Sequence, residues 1–362
     1  MKVGIIGGGQ LARMLAIAGY PLGLEFLILE PAEDACSAHL GEHLCADYDD
    51  EKALSELAEK VDVVTYEFEN VPASAVKYLQ DKVPVYPPPK ALACARDRLN
   101  EKRLFRELGI GTAEFADIDS LESLKKAVKE IGLPAILKTR TLGYDGKGQQ
   151  MLRAGTDLEV AWKNLKGAPA ILESVVPFDR EVSIIAVKSV SGETVFYPIA
   201  ENVHTDGIIR LSTSMMNDPV QGVAEEHARK VLGALDYVGV LAIEFFQVGD
   251  QLLANEMAPR VHNSGHWSIE GSVCSQFENH MRAVIDFPLG STKSVGYSVM
   301  VNLIGELPEL SDVLAIPGAH LHLYGKSPRP GRKIGHITVC GETENNLKEI
   351  LVQVDSLVHA GT

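Results

Sequence analysis

Short apolar runs, each closed by a glycine or a polar turn and followed by residues at helical spacing, recur through the first hundred residues. Val3 to Ile6 reads as a buried strand, and Gly7-Gly8-Gly9-Gln10-Leu11-Ala12 as a tight turn into a helix reaching about Ala18. A second strand is predicted over Glu25 to Leu29, ending at Glu30, then a helix over Glu51 to Lys60 and a strand over Val61 to Tyr66. The polar turn Glu67-Phe68-Glu69-Asn70 leads to a helix after Pro72, and Val83 to Tyr86 is expected to close the unit as a last strand. Alternating strands and helices predict a parallel α/β unit, and Pro87-Pro88-Pro89 stiffens its exit.

The charged stretch Arg96 to Lys102 opens a helix to Leu108, stopped by Gly109. From Gly111 to Ala168 the expected order is strand, helix (Leu121 to Ile131), strand (Ala135 to Lys138), glycine loop, strand (Gln150 to Leu152), helix, which makes a small α+β lid. Strands follow over Ala170 to Val175 and Val182 to Val187, and Phe196 to Arg210 reads as a polar connection between strands. After a helix over Val223 to Leu235, two core strands are predicted at Val238 to Phe246 and Gln251 to Met257, then helical residues over Gln276 to Ile285. Pro288-Leu289-Gly290-Ser291 marks a break before a compact tail with strands at Ser298 to Ile304 and around His320 to Tyr324. The implied division is 1–97, 98–287 with a lid near 111–170, and 288–362.

Several of these segments carry chemistry. Lys138 ends an apolar strand and enters a loop whose Gly143, Gly146 and Gly148 leave backbone N–H groups free to converge on a polyphosphate, with Lys147 adding charge; an ordinary glycine-rich hairpin is the alternative. Glu244 and Glu256 stand in otherwise apolar strands, where an unpaired charge is costly. With the amide oxygen of Asn255 they make a hard oxygen set of the kind Mg²⁺ accepts. The dense polar run Pro259 to Trp267 follows at once, and its Arg260, His262 and Asn263 suit a small oxyanion such as bicarbonate or an acyl phosphate. Glu67 and Glu69, at the carboxyl end of a strand, are candidates for a substrate hydroxyl or amine, or else belong to a solvated turn. Glu181 suits a ribose, Arg98 either a phosphate or a salt-bridged helix face, and His204 taken alone reads as structural. The loop Lys326 to Lys333, with Arg329 and Arg332, reads as a cationic site for an anionic ligand or as an exposed turn.

Gly7 to Ala12, with Glu30 about 20 residues on, also satisfies a dinucleotide fingerprint, so a nicotinamide-dependent oxidoreductase is a competing reading. Composition narrows the field. The chain has 362 residues, enough for two or three domains, with 46% hydrophobic and 23% charged residues and a net charge of −15. That balance opposes general nucleic-acid binding. No apolar run long enough to cross a membrane is present, and the five scattered cysteines, with no Cys-x-x-Cys pair, fit reduced thiols in a cytoplasm.

Gly-Gly-Gly-Gln-Leu-Ala-Arg-Met at Gly7 to Met14, Gly-Tyr-Asp-Gly-Lys-Gly-Gln at Gly143 to Gln149, Asn255 to Trp267, and Arg329 to His336 together resemble the ATP-grasp superfamily. Within it they resemble the N(5)-carboxyaminoimidazole ribonucleotide synthetase family, over essentially the whole chain. The resemblance implies an α/β ATP-grasp fold with an N-terminal Rossmann-like pre-ATP-grasp domain and a small C-terminal domain. It implies an ATP-dependent carbon–nitrogen ligase of purine biosynthesis that carboxylates 5-aminoimidazole ribonucleotide with bicarbonate through carboxyphosphate. ATP would be bound by Arg98, Lys138, Gly143, Tyr144, Asp145, Gly146, Lys147, Gly148, Gln149, the run Glu173-Ser174-Val175-Val176, Glu181, His204, Asn255 and Glu256. Glu244 and Glu256 would hold Mg²⁺. Arg260, His262 and Asn263 would cradle carboxyphosphate, with Lys138, Asp145 and Lys333 completing the catalytic set. The ribonucleotide would meet Glu67, Tyr144, Asp145, Lys326, Arg332 and Lys333. The family further implies a homodimer, and other ATP-grasp ligases remain alternatives.

Overall fold

The computed structural model describes residues 1–141 and 148–358. Gly143, Tyr144, Asp145, Gly146 and Lys147 therefore lie outside the described residues. The first unit contains β1 (Lys2–Ile6), α1 (Gln10–Gly19), β2 (Glu25–Leu29), β3 (Glu42–Leu44), α2 (Glu51–Lys60), β4 (Val63–Tyr66) and α3 (Ala73–Gln80), with α4 (Pro89–Ala95) beyond them. Its four strands run parallel in the order β3-β2-β1-β4, as continuous apolar strands covered by helices must. β4 starts at Val63 because the carboxylate of Asp62 turns back to accept from the Lys2 amide at 2.7 Å. The expected closing strand at Val83 to Tyr86 is reduced to one bridge, Val85 opposite Val64, because prolines at 84 and 87 remove ladder donors on either side.

α5 (Arg98–Glu107) links this unit to a four-stranded antiparallel sheet of β5 (Phe115–Ile118), β6 (Ala135–Thr139), β7 (Gln149–Leu152) and β8 (Ala170–Ser174), in the order β5-β8-β6-β7. α6 (Leu121–Ile131) and α7 (Leu158–Asn164) cover it and share with it a small core of their own.

The main sheet is built from β9 (Arg180–Lys188), β10 (Thr194–Phe196), β11 (Ala200–Thr205) and β12 (Ile208–Ser214), followed after α8 (Gln221–Ala234) by β13 (Gly239–Val248) and β14 (Gln251–Ala258). α9 (Ser268–Gly271) and α10 (Gln276–Val284) precede β15 (Tyr297–Ile304), α11 (Leu310–Leu314), β16 (Ala319–Leu323), β17 (Lys333–Gly341) and α12 (Glu344–Val358). The strand order is β14-β13-β9-β11-β12-β15-β17-β16, with β10 paired to β9, so the C-terminal strands extend the same sheet. The segment read as a polar connection at Phe196 to Arg210 instead holds most of the β11–β12 hairpin. Asp206 and Gly207 at its tip have φ of 52° and 76°, the left-handed pair that an Asp-Gly hairpin turn requires. α1 packs on α10, and one apolar core containing Val3, Leu15, Ile185, Val240 and Met281 runs from the first unit into the main sheet.

Candidate active site

The first glycine turn does not wait for an external anion. Glu67 accepts from the N–H groups of Gly9 and, at 3.0 Å, Ala12, so its carboxylate sits on the positive end of α1. Glu30 accepts from the Gly8 N–H at 2.8 Å and from the Tyr48 hydroxyl at 2.6 Å. The glycines make room for these carboxylates: a Cβ on Gly8 would stand 2.5 Å from Glu30 Cγ, and one on Gly9 2.6 Å from Glu67 Oε1. A pyrophosphate and a ribose therefore find their dinucleotide positions already filled, which removes the basis of the oxidoreductase reading. Burial pushes the Glu67 carboxyl up.

Past this turn opens a cavity of about 420 Å³ that brings together segments far apart in sequence: Glu67 to Asn70, Arg98 and Glu101, Glu244 and Glu256, Arg260 to Asn263, and the two lysines 326 and 333. Glu69 and Arg260 form a forked ion pair across it, with Nε–Oε2 at 2.6 Å and Nη2–Oε1 at 3.3 Å. Burial opposes the charge on Arg260, but the Glu69 carboxylate outweighs it and raises the guanidinium pKa. The His262 ring accepts at Nδ1 from the Ser264 N–H at 3.3 Å, which leaves the proton on Nε2, 3.5 Å from Glu244 Oε1. Burial pulls His262 down to about 3, and Arg260 and Lys333 add to this, so the ring is neutral at physiological pH. Its backbone is gripped at both ends by fully buried Gln276 of α10, which accepts from the His262 N–H at 3.0 Å and donates to its carbonyl at 2.6 Å.

Asn263, expected as an oxyanion donor, lines the cavity. It exchanges both amide hydrogen bonds with Asn302 of β15, at 3.1 and 2.5 Å, and so ties the polar run to the C-terminal strands. Lys326 reaches Gln10 at the start of α1, which closes the cavity from the C-terminal side. Burial lowers the Lys326 pKa. Arg332 donates to the carbonyl and hydroxyl of Ser327 at 3.1 and 3.0 Å, shaping its own loop.

Most of the described residues predicted to meet the nucleotide fall on strands of both the lid sheet and the main sheet. Lys138, at the end of β6, is buried and lies 2.9 Å from Glu173 Oε2 on β8. The Ser174 hydroxyl accepts from the Glu114 N–H at 3.0 Å, and half-buried Val175 and Val176 leave β8 beside it. Glu181, on β9, pairs with the His204 ring. Burial opposes protonation of that ring, yet the Glu181 contact, with help from Glu244, raises its pKa. Gln149 begins the return strand β7, and Gly148 just before it accepts from the Thr139 N–H at 2.9 Å.

Glu244 on β13 stands opposite Glu256 on β14, and the register slips between Glu244 and Phe245 so that Asn255 is an extra residue. Such a bulge re-aims side chains where a regular strand would alternate them. Arg98 meets Glu256 at 2.8 Å. Burial and the facing Glu256 carboxylate push Glu244 up; burial acts the same way on Glu256, but Arg98 overrides it and holds Glu256 low. The described residues contain no group of three or more His, Cys, Asp or Glu placed to hold a metal. The Asn255 Oδ1 is buried without a partner, and the Glu256 side chain keeps 42% of its surface open. Two carboxylates and an orphaned amide oxygen fit a cation that takes its remaining ligands from phosphates and water.

Sequence reading passed over Glu101, Lys102 and Arg140. Glu101 and Lys102 are each 1% exposed, although they sit in the most charged helix of the chain. The available signal was spacing: Arg98, Glu101 and Lys102 fall at i, i+3 and i+4, on one helix face. Arg140 forks onto Asp97 at 2.5 and 3.0 Å and lines the cavity.

A parallel α/β unit, a small antiparallel sheet that buries Lys138 against Glu173, and paired carboxylates on adjacent antiparallel strands define an ATP-grasp ligase. Family models agree: the Ribonucleotide synthetase preATP-grasp domain matches residues 1–96, the ATP-grasp domain 103–277, and the Phosphoribosylaminoimidazole carboxylase C-terminal domain 298–350. The N5-carboxyaminoimidazole ribonucleotide synthase of Pseudomonas aeruginosa is 54% identical over 360 residues, 99% of this chain and 100% of that one. The crystal structure of the synthetase from Thermus thermophilus superposes with a TM-score of 0.94 at 53% identity, covering 99% and 98% of the two chains. That of the Aspergillus clavatus synthase in complex with ADP and 5-aminoimidazole ribonucleotide gives 0.89 at 33% identity, covering 98% of each chain. The chain belongs to the N5-carboxyaminoimidazole ribonucleotide synthase family and is an ATP-dependent ligase of purine biosynthesis.

Proposed function

We propose that the cavity carries out the family reaction: ATP and bicarbonate carboxylate 5-aminoimidazole ribonucleotide to N5-carboxyaminoimidazole ribonucleotide, releasing ADP and phosphate. The observation that carries this reading is the meeting in one cavity of Arg98–Glu256, Glu69–Arg260, neutral His262 and Lys333. In support, the Aspergillus clavatus relative holds ADP and the aminoimidazole ribonucleotide in one complex.

Bicarbonate oxygen attacks the γ-phosphorus, the bond to ADP breaks, and carboxyphosphate forms. That step asks for alignment and neutralisation of charge more than covalent help. Lys138 and Arg98 oppose the charge on the transferring group. Arg260 and the Nε2–H of His262 hold the carboxyphosphate, while Asn263 acts by fixing the run that carries them. Glu244 and Glu256, with the Asn255 oxygen, would hold Mg²⁺, which supplies charge neutralisation at the nucleotide phosphates. Carboxyphosphate then breaks into carbon dioxide and phosphate, and the exocyclic amine attacks the carbon dioxide and gives up a proton. Asp145 is assigned that proton. An Asp145→Asn enzyme with full turnover and an unchanged pH profile removes it from the mechanism.

Lys326, Arg332 and Lys333 form the cationic side offered to the ribonucleotide phosphate, with Tyr144 and Asp145 as further candidates for the ribonucleotide. Glu67 contributes by holding the α1 turn to which Lys326 is anchored. Gly143 to Gln149, Glu173 to Val176, Glu181 and His204 make the ATP site, and the domain division is 1–97, 98–287 and 288–362. We further assign a homodimer, from the family, and a cytoplasmic setting, from five cysteines that are all free; sedimentation equilibrium and cell fractionation check these. The reaction itself is tested by ADP release: it is expected to rise when aminoimidazole ribonucleotide and bicarbonate are supplied together, and no rise with the ribonucleotide refutes the substrate assignment.

A further inference from the structure

β14 is the edge strand of the main sheet, so every second residue turns a backbone N–H and C=O away from β13, and the bulge at Asn255 exposes one carbonyl more. Buried backbone groups need partners. The Ala254 N–H finds the Gly111 carbonyl at 2.7 Å. Three more backbone groups around the bulge are met by side chains of α5. The Lys102 ammonium donates to the carbonyls of Ala254 at 3.2 Å and Asn255 at 2.6 Å. One residue earlier on the helix, Glu101 Oε1 accepts from the Met257 N–H at 2.6 Å. Arg98, a turn before them, takes the Glu256 carboxylate at 2.8 Å. One face of α5 thus holds the bulge before, at and after Glu256.

The same ammonium connects to the lid sheet. Lys102 Nζ lies 3.6 Å from Glu173 Oε2, the oxygen that Lys138 contacts at 2.9 Å. Burying a lysine and a glutamate to 1% exposure is unfavourable unless each is fully engaged, and apolar residues would fill the volume at less cost. What apolar residues cannot do is hold a bulged edge in one register while touching the residue that orients Lys138.

We propose that Glu101 and Lys102 are positioning residues: together they fix the bulge that aims Asn255 and Glu256 at the metal-bearing phosphates, and Lys102 alone, through Glu173, sets Lys138 at the same nucleotide. This rests on the reading of Glu244 and Glu256 as the metal carboxylates.

The test measures Mn²⁺ affinity by water-proton relaxation in the full-length enzyme with a non-hydrolysable ATP analogue, beside a thermal melt. Glu256→Gln is the control for the metal reading. Lys102→Met keeps the aliphatic stem and removes the donors, Glu101→Leu removes the acceptor, and Glu101→Gln keeps an acceptor oxygen. Lys102→Met and Glu101→Leu are expected to melt cooperatively and to weaken Mn²⁺ at least about tenfold, the scale of lost outer-shell support, while Glu101→Gln stays within about threefold of wild type. If Lys102→Met loses its cooperative melt, Lys102→Gln, whose amide still donates, is read instead and is expected to weaken Mn²⁺ by more than about threefold. Loss of Mn²⁺ in Glu256→Gln with wild-type affinity in the α5 variants overturns the positioning role alone. Wild-type affinity in Glu256→Gln overturns the metal reading and the positioning role with it.

Discussion

At the scale of single residues, what a polar group can do is set by whether another group has already claimed it. Lys138 shares Glu173 with Lys102, so replacing it by methionine leaves the buried carboxylate one cation and spares the fold. Lys138→Met is expected to lower kcat by about 10² to 10³, the effect of removing one donor to a transition-state charge, with a melting temperature close to wild type; initial rates of ADP release and a thermal melt check both. Asn263 and Asn302 each satisfy the other. Asn263→Ala and Asn302→Ala should each cost about 1–3 kcal/mol by orphaning a buried amide, and the double variant should cost less than their sum. Urea titrations measure this. If Asn302→Ala were neutral and only Asn263→Ala slowed turnover, Asn263 would be a direct ligand of the oxyanion after all.

At the scale of elements, the joint between the first unit and the main sheet depends on His280 of α10. Its Nδ1 accepts from the Val240 N–H of β13 at 3.1 Å, so Nε2 carries the proton and donates to Thr65 Oγ1 of β4 at 2.8 Å. Burial alone holds this ring down to about 3. A group with a depressed folded pKa is neutral in the fold while the unfolded chain takes a proton below about 6.5, so its stabilisation is complete above that pH and is lost as pH falls towards 3. Between pH 7 and pH 5 this one ring should account for a loss on the order of 2 kcal/mol. His280→Asn should therefore destabilise less at pH 5 than at pH 7, as urea midpoints at the two pH values will record. Buried His266 and His336, also pulled well below the ordinary histidine value by burial, add to the same acid sensitivity.

The elements also show where local patterning carries information. β2 and α6 begin and end where a short apolar run and helix capping predict, because such a run and a Ser before a helix act within a few residues. The β11–β12 hairpin was legible in its Asp-Gly tip, but the polar residues of Phe196 to Arg210 masked the alternation that a half-buried strand keeps. β17 is hidden in the sequence because the cations and prolines of Lys326 to Lys333 read as a loop, although Lys333 already begins the strand.

At the scale of the whole molecule, an acidic chain of net charge −15 brings Arg96, Arg98, Arg140, Arg260, Lys326 and Lys333 to one cavity, beside Glu67, Glu69, Glu101, Glu244 and Glu256, in a field of both signs. Ligand choice should follow that field and the carboxylates already seated on the first turn. Mg-ATP at 100 times its dissociation constant is expected to stabilise the fold by about 2.7 kcal/mol, while NADH and NADPH leave the melting temperature unchanged. Differential scanning fluorimetry makes the comparison, and a shift with either dinucleotide would count against the seating of Glu30 and Glu67 described above.

By itself the sequence determined the order and kind of most elements, the two carboxylate strands and the family to which these belong. Those signals are local: period, turn chemistry and contiguous motifs survive without knowledge of what lies across the fold. Only the tertiary structure decided which polar groups are free for a ligand. Glu67 is spent on α1 and Glu69 on Arg260 191 positions away, Asn263 is held in place by Asn302, while Glu101 and Lys102 turn from a solvated-looking face into the support of β14. The reason is that a buried donor or acceptor must be matched wherever folding puts it, and the matching partner is fixed by packing across the chain rather than by its neighbours along it.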